Sequence, residues 1–153
     1  MLLIAFDPGK TGGYAIMDTS LANPLIEWGI MPLVGKEFDE RALCALMEDK
    51  QKVFIEKVTC GACKGRATAF TFGGGWFLLR GIAVGMELPY ELVTPRSWQV
   101  LTPGRKTGKE AKDQSRAAAM QLFPECASEC KLKKNDGIAE AILIAEYARR
   151  NLV

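Results

Sequence analysis

Hydrophobic positions along the chain switch between strand-like runs and helix-like spacings. Residues 2–6 (LLIAF) form a continuous apolar run of strand length, closed by Asp7 and a Pro8-Gly9 turn. Gly12 and Gly13 lead into a second strand over 14–18, and a third covers 25–31. The short connections predict antiparallel hairpins. Phe38, Leu43, Leu46 and Met47 recur at helical spacing and predict a helix over 38–50. KVFIEKV, 52–58, reads as a strand, and TCGACKGR, 59–66, as a loop. A helix is expected over 67–86, with a break or a close packing contact at 73–75, where successive glycines oppose helix formation. PYELV, 89–93, is a further strand. TPRSWQVL reads as a short helix with Thr94 as cap and Pro95 at its first position. A turn-rich loop, 102–108, precedes a helix over 109–122 that stops before Pro124, and a last helix covers 136–150.

Three strands, helix, strand, helix, strand and two helices make an α/β chain. A hairpin meander extended by strand–helix–strand crossovers predicts a mixed five-stranded sheet with helices on both faces. That is the ribonuclease-H-like architecture, here as one domain over 1–153. The chain has 153 residues, 48% hydrophobic and 25% charged, which suits one domain with a real core. No uninterrupted apolar run approaches the roughly 18–20 residues of a membrane helix. The first residues lack the basic start and cleavage site of a signal peptide. The expectation is a cytoplasmic protein without a membrane partner.

Net charge is +2, and its distribution matters more than its size. Arg96, Arg105, Lys106, Lys109, Lys112 and Arg116 face only Glu110 and Asp113 in the same stretch, and Lys131, Lys133 and Lys134 cluster before the last helix. Such clusters suit a phosphate backbone or a solvated surface equally well. The chain has no histidine, which excludes Ser-His-Asp and Cys-His catalysis and histidine metal sites. Its five cysteines, Cys44, Cys60, Cys63, Cys126 and Cys130, are odd in number, which argues for free thiols over a disulfide framework. Cys60-x-x-Cys63 with Cys126 and Cys130 makes an atypical zinc set.

The acids are more informative. Asp7 ends a strand that reads as buried, where it starts a turn or binds a cation. Glu56 lies inside the apolar strand VFIEKV, on the face of Phe54. On the last helix, NDGIAEAILIAEYARR, Asp136, Glu140, Leu143 and Tyr147 share one stripe, with the solvent side expected around Glu146 and Arg150. Capping explains Asp136 but not Glu140, whose apolar company calls for a cation partner. If the first and fourth strands are parallel neighbours, Asp7 and Glu56 converge, and the helix pair closes the set. Carboxylates without histidine suit hard ions such as Mg²⁺ or Mn²⁺. A pair of such ions about 3.5–4 Å apart supports phosphodiester hydrolysis.

IAFDPGKTGGYAI, VFIEKV, VTPRSWQ and KKNDGIAEAILIAEYARR together resemble the RuvC-type Holliday-junction resolvases, especially phage-encoded members. The likeness runs in order over nearly the whole chain, and the D-G-x-A-E-A-x-L-I-A-E-Y ending is its most specific part. It implies a homodimer that binds four-way DNA junctions and nicks one strand per subunit with Mg²⁺ or Mn²⁺, leaving 5′-phosphate ends. Asp7, Glu56, Asp136 and Glu140 map onto the family's catalytic metal ligands. The D-x-x-x-E spacing departs from the common pair of aspartates three apart, so Glu140 is a direct ligand or one water away. The resemblance puts Lys64, Arg66, Phe70 and Phe72 near the junction centre and dimer interface. By their spacing with Ala69 and Trp76, the phenylalanines read as core. Arg105, Lys106, Lys109 and Lys112 would approach the scissile strand. One of these lysines would neutralise the transition-state phosphate, and the spacing does not choose among them. Ser97 and Trp98 read as capping and packing residues.

Three other readings fit parts of the pattern. A flap or branched-DNA endonuclease of broader specificity would carry the same acids. DPGKTGG would pass as a phosphate loop of the actin and sugar-kinase group, but 153 residues are few for the two domains that group needs. A DNA-binding protein with a dead site would not need four acids.

Overall fold

The computed structural model describes residues 1–57, 59 and 65–152. Strands β1 (Leu2–Asp7), β2 (Gly13–Asp18) and β3 (Leu25–Ile30) form the expected antiparallel meander. A small hairpin, β4 (Leu33–Val34) with β5 (Glu37–Phe38), follows. Then come α1 (Glu40–Met47), β6 (Lys52–Glu56), α2 (Arg66–Gly85), β7 (Tyr90–Val93) and α3 (Pro95–Trp98). The chain continues with α4 (Gly108–Leu122), the short α5 (Ala127–Cys130) and α6 (Asp136–Arg150). The main sheet has the order β3-β2-β1-β6-β7, with β1, β6 and β7 parallel. It is the ribonuclease-H-like α/β fold.

The sheet separates two apolar layers. Leu3 and Ala5 of β1 and Phe54 of β6 face α6 and α4, whereas Ile4, Phe6, Val53 and Ile55 face α1 and α2. A central strand covered on both faces reads as an unbroken apolar run, which is why LLIAF carries no alternation. Asp7 follows Leu3 and Ala5 in the period of two, and Glu56 follows Phe54. Both acids therefore belong to the α6 face. The parallel register pairs Ala5 with Phe54 and Phe6 with Ile55, so Asp7 and Glu56 come next, side by side.

Several local expectations change. Phe38 belongs to β5 and not to a helix; α1 begins only after Asp39, whose side chain caps it by accepting from the Ala42 N–H at 2.9 Å. α2 runs unbroken through Gly73–Gly75. A Cβ on Gly75 would lie 2.4 Å from the Pro8 carbonyl oxygen and 2.5 Å from Phe38 Cζ, so this glycine serves close packing of α2 on the Asp7 turn. Phe70 is 84% exposed and is not core; Phe72 is half-buried, its ring over Gly9. Glu146, expected toward solvent, is only 2% exposed, because α6 is the central helix of its layer; Arg149 and Arg150 hold it at 2.7 and 2.6 Å. By length and composition alone, α2 qualifies as a membrane span, contrary to the expectation from uninterrupted runs. Its Leu79 and Ala83 are nevertheless buried against the sheet, and Arg80 stacks on Trp76 with 4.4 Å to the ring centroid.

Candidate active site at the ends of the central strands

Asp7 and Glu56 end adjacent parallel strands, and the start of α6 is held against them by backbone contact. Gly12 pairs with Gly137 in an isolated parallel bridge. A Cβ on Gly137 would lie 2.4 Å from the Gly12 backbone, and one on Gly12 would lie 2.1 Å from the Asp7 carbonyl oxygen. Only glycines permit this stacking of turn on helix, and it brings Asp136 and Glu140 to the strand acids. The turn itself is closed by the Gly12 N–H on the Gly9 carbonyl at 2.9 Å.

The electrostatics follow from this convergence. Asp7 is 8% exposed. Burial, then the negative charges of Glu56 and Glu140, push its carboxyl well above the usual range; the Gly9 N–H and Lys112 pull the other way. Burial also lifts Glu56 to about 7, opposed by a hydrogen bond from Trp98, with Glu140 adding repulsion and Arg105 offsetting part of it. Each of these acids therefore favours either a proton or an added cation.

The helix pair already has cations. Asp136 Oδ1 accepts from Arg116, which also holds Asp113, and its Oδ2 meets Lys112 Nζ at 3.0 Å. Glu140 Oε1 meets the Arg105 guanidinium at 3.2 Å and the Ser115 hydroxyl at 3.3 Å. Glu140 thus has the cation partner its apolar setting demanded. No three metal-ligating side chains among the described residues stand close enough to share one ion. The donor chemistry nonetheless fits a divalent, oxygen-loving cation. Asp7, Glu56 and Glu140 are all oxygen donors whose mutual repulsion such an ion would relieve.

The other expected residues separate. Lys64 lies outside the described residues. Arg66 is exposed at the start of α2, and Lys106 and Lys109 are exposed before and in the first turn of α4. Lys112 reaches the acids while its side chain stays 56% exposed, and its hydrogen bond to Asp136 raises its pKa. Arg105 points inward, where Glu140 and Ser115 take its guanidinium. Cys126 and Cys130 are buried free thiols, and Cys60 and Cys63 fall outside the described residues. Trp98 packs as expected, but its indole N–H also donates to Glu56 Oε1 at 2.7 Å, a role that nothing in its local sequence signals. Ser115 and the pairing of Arg116 with Asp136 escape the sequence for the same reason.

Neither a family model nor a curated protein matches the sequence. Solved structures do resemble the fold. Thermus thermophilus RuvC in complex with a Holliday junction substrate aligns with TM-score 0.64 at 14% identity, covering 98% of this chain and 95% of that one. The T. thermophilus RuvC structure aligns with TM-score 0.64 at 13% identity, covering 98% and 96%. The fowlpox virus Holliday junction resolvase aligns with TM-score 0.65 at 16% identity, covering 99% of this chain and 100% of that one. At these identities the likeness is one of fold, and it spans both chains almost end to end.

Proposed function

We propose that this chain is a metal-dependent, structure-selective DNA endonuclease that resolves four-way junctions by paired nicks. The observation that carries the reading is the convergence of Asp7 and Glu56, side by side at the ends of parallel strands with the charge of Glu140 acting on both, in a fold shared almost end to end with junction resolvases. Asp7 and Glu56 would hold a first Mg²⁺ or Mn²⁺, and Asp136 and Glu140 would complete a two-ion site. Bound ions would supply an activated water and stabilise the leaving oxygen. The chain's own groups do the rest. Lys112 is the one lysine of its loop-and-helix cluster that both reaches the acids and meets solvent, which suits it to neutralise the scissile phosphate. Exposed Arg66, Lys106 and Lys109 are suited to the flanking phosphates, and Lys64 joins them by its sequence position.

Paired nicks call for two sites, and α2 favours a homodimer. Phe70, Phe77 and Val84, 84%, 63% and 63% exposed, recur every seven residues on its outer face, with Gly74 and Gly81 opening space between them. Side chains alternating with gaps are self-complementary about a two-fold axis.

The test is cleavage of matched four-way, three-way and flap substrates with Mg²⁺ or Mn²⁺. Four-way junctions cut at symmetric positions, with cleavage lost in Asp7→Asn and junction binding retained, are the expected outcome. Equal cutting of flaps would make it a general branched-DNA endonuclease. Cleavage that survives Asp7→Asn would sink the mechanism.

A further inference from the structure

The segment between β7 and α4 ties Glu56 to Glu140. Trp98 is 1% exposed, and the one polar atom of its side chain donates to Glu56 Oε1 at 2.7 Å. The Arg105 guanidinium lies over the same indole, 4.8 Å from its centroid. One arm of that guanidinium donates to Ser115 Oγ at 2.7 Å, and the other meets Glu140 Oε1 at 3.2 Å. Ser115 Oγ also lies 3.3 Å from the same Glu140 oxygen. The brace is itself anchored: Thr94 caps the helix that carries Trp98, and buried Thr102 lies 3.4 Å from Arg105.

Both carboxylates are thus gripped by one oxygen. Trp98 engages Glu56 Oε1, and Arg105 with Ser115 engages Glu140 Oε1, while neither Oε2 has a hydrogen-bond partner among the described residues. Asp136 differs, since cations occupy both of its oxygens. A buried, inflexible donor on one carboxylate oxygen fixes the rotamer and leaves the other oxygen directed for a ligand.

We propose that Trp98 and Arg105 are positioning residues. They form one brace, with Ser115, that sets Glu56 and Glu140 to bind a divalent cation each through its free Oε2. The inference rests on the metal-dependent reading above and adds to it residues that touch neither cation nor DNA. Arg105 does this in place of the DNA contact expected from its position in the basic cluster.

Metal binding separates this role from packing. Mn²⁺ affinity, measured by the loss of the free-ion electron paramagnetic resonance signal on DNA-free protein, should weaken about tenfold or more in Trp98→Phe. That variant keeps an aromatic ring under Arg105 and removes the N–H. Arg105→Lys keeps the charge and loses the two-armed bridge, and it should weaken binding similarly. The double variant should lose less than the product of the single losses, because the two residues act as one unit. In wild type, the Trp98 indole N–H resonance, assigned by its loss in Trp98→Phe, should shift during Mg²⁺ titration. Thermal melts identify folded variants, and Arg105→Lys together with the wild-type resonance keeps the test intact if Trp98→Phe does not fold. Mn²⁺ affinity within twofold of wild type in a folded variant, or an indole resonance that ignores Mg²⁺, would overturn the brace and leave the nuclease reading standing. A wild-type protein that binds no Mn²⁺ at all would overturn both.

Discussion

Asp7 and Glu56 stand at the ends of strands with raised carboxyl pKa values, while Asp136 and Glu140, on α6, are matched by Arg116, Lys112 and Arg105. The difference is one of origin as much as of charge. A strand end inside a two-sided sheet offers backbone and apolar neighbours, so an acid there is desolvated and has few places to find a base. A helix packed beside another helix offers long side chains from its neighbour, and α4 supplies two of the three cations. The strand pair is thus poised to take up positive charge from outside, whereas the helix pair is held in place by charge from inside. A site built this way has its helix arm pre-positioned and its strand arm unsatisfied.

That contrast can be broken from either side. The largest effect is expected in catalysis. Glu56→Gln keeps shape and removes charge, and under the proposed mechanism this should lower junction cleavage by roughly 10³-fold or more, read in single-turnover assays with binding measured separately. Next in size is Arg116→Met. It strips the inner cation from Asp136 and leaves a half-buried charge short of its partner, which should destabilise the fold by about 3 kcal/mol in chemical denaturation.

A smaller effect, of opposite sign, is expected for the strand pair in metal-free protein. Folded Glu56 titrates near 7 against an ordinary value of 4.5, and Asp7 is likewise raised above 3.8. The folded state therefore keeps protons that the unfolded chain has released. The stability Glu56 contributes is complete below about pH 4 and is lost as pH rises through about 7, and Asp7 adds a loss of the same sign. Metal-free wild type should melt lower at pH 8 than at pH 5.5. Glu56→Gln should recover on the order of 2 kcal/mol, or ~5 °C, at pH 8 and little at pH 4. Mg²⁺ should stabilise wild type more at pH 8 than at pH 5.5, since protons and metal compete for the same oxygens. The smallest effect is expected for exposed Lys109. Lys109→Ala should weaken junction binding a few-fold, reduce the salt slope by about one, and leave metal affinity unchanged.

Much of this arrangement is legible in the chain. LLIAFD and VFIE carry a two-residue period that already puts Asp7 with Ala5 and Glu56 with Phe54, so their shared face follows once the strands are parallel. The helical period of α6 isolates Glu140 in apolar company and demands a cation. The period misplaces Glu146, because it ranks the polar side of a helix without knowing that the sheet and α4 cover that helix almost all round. Phe70 fails in the reverse direction: its spacing with Trp76 suits a core, but the sheet takes only the Leu79–Ala83 side of α2. Trp98 and Arg105 carry no local mark of their partners, which lie 42 and 35 residues away.

The alternation of elements, the acids at strand ends and the absence of histidine are written in the chain, and with them the class of ion the proposed site would hold. Those properties depend on residue type and on periods of two and 3.6, which are local. Which cation meets which acid, which oxygen each donor takes, and which glycine is a packing contact are set by the folded arrangement. These depend on approaches of a few ångströms between segments far apart in sequence. Gly12 against Gly137 and Trp98 against Glu56 exist only once the sheet has brought their elements together.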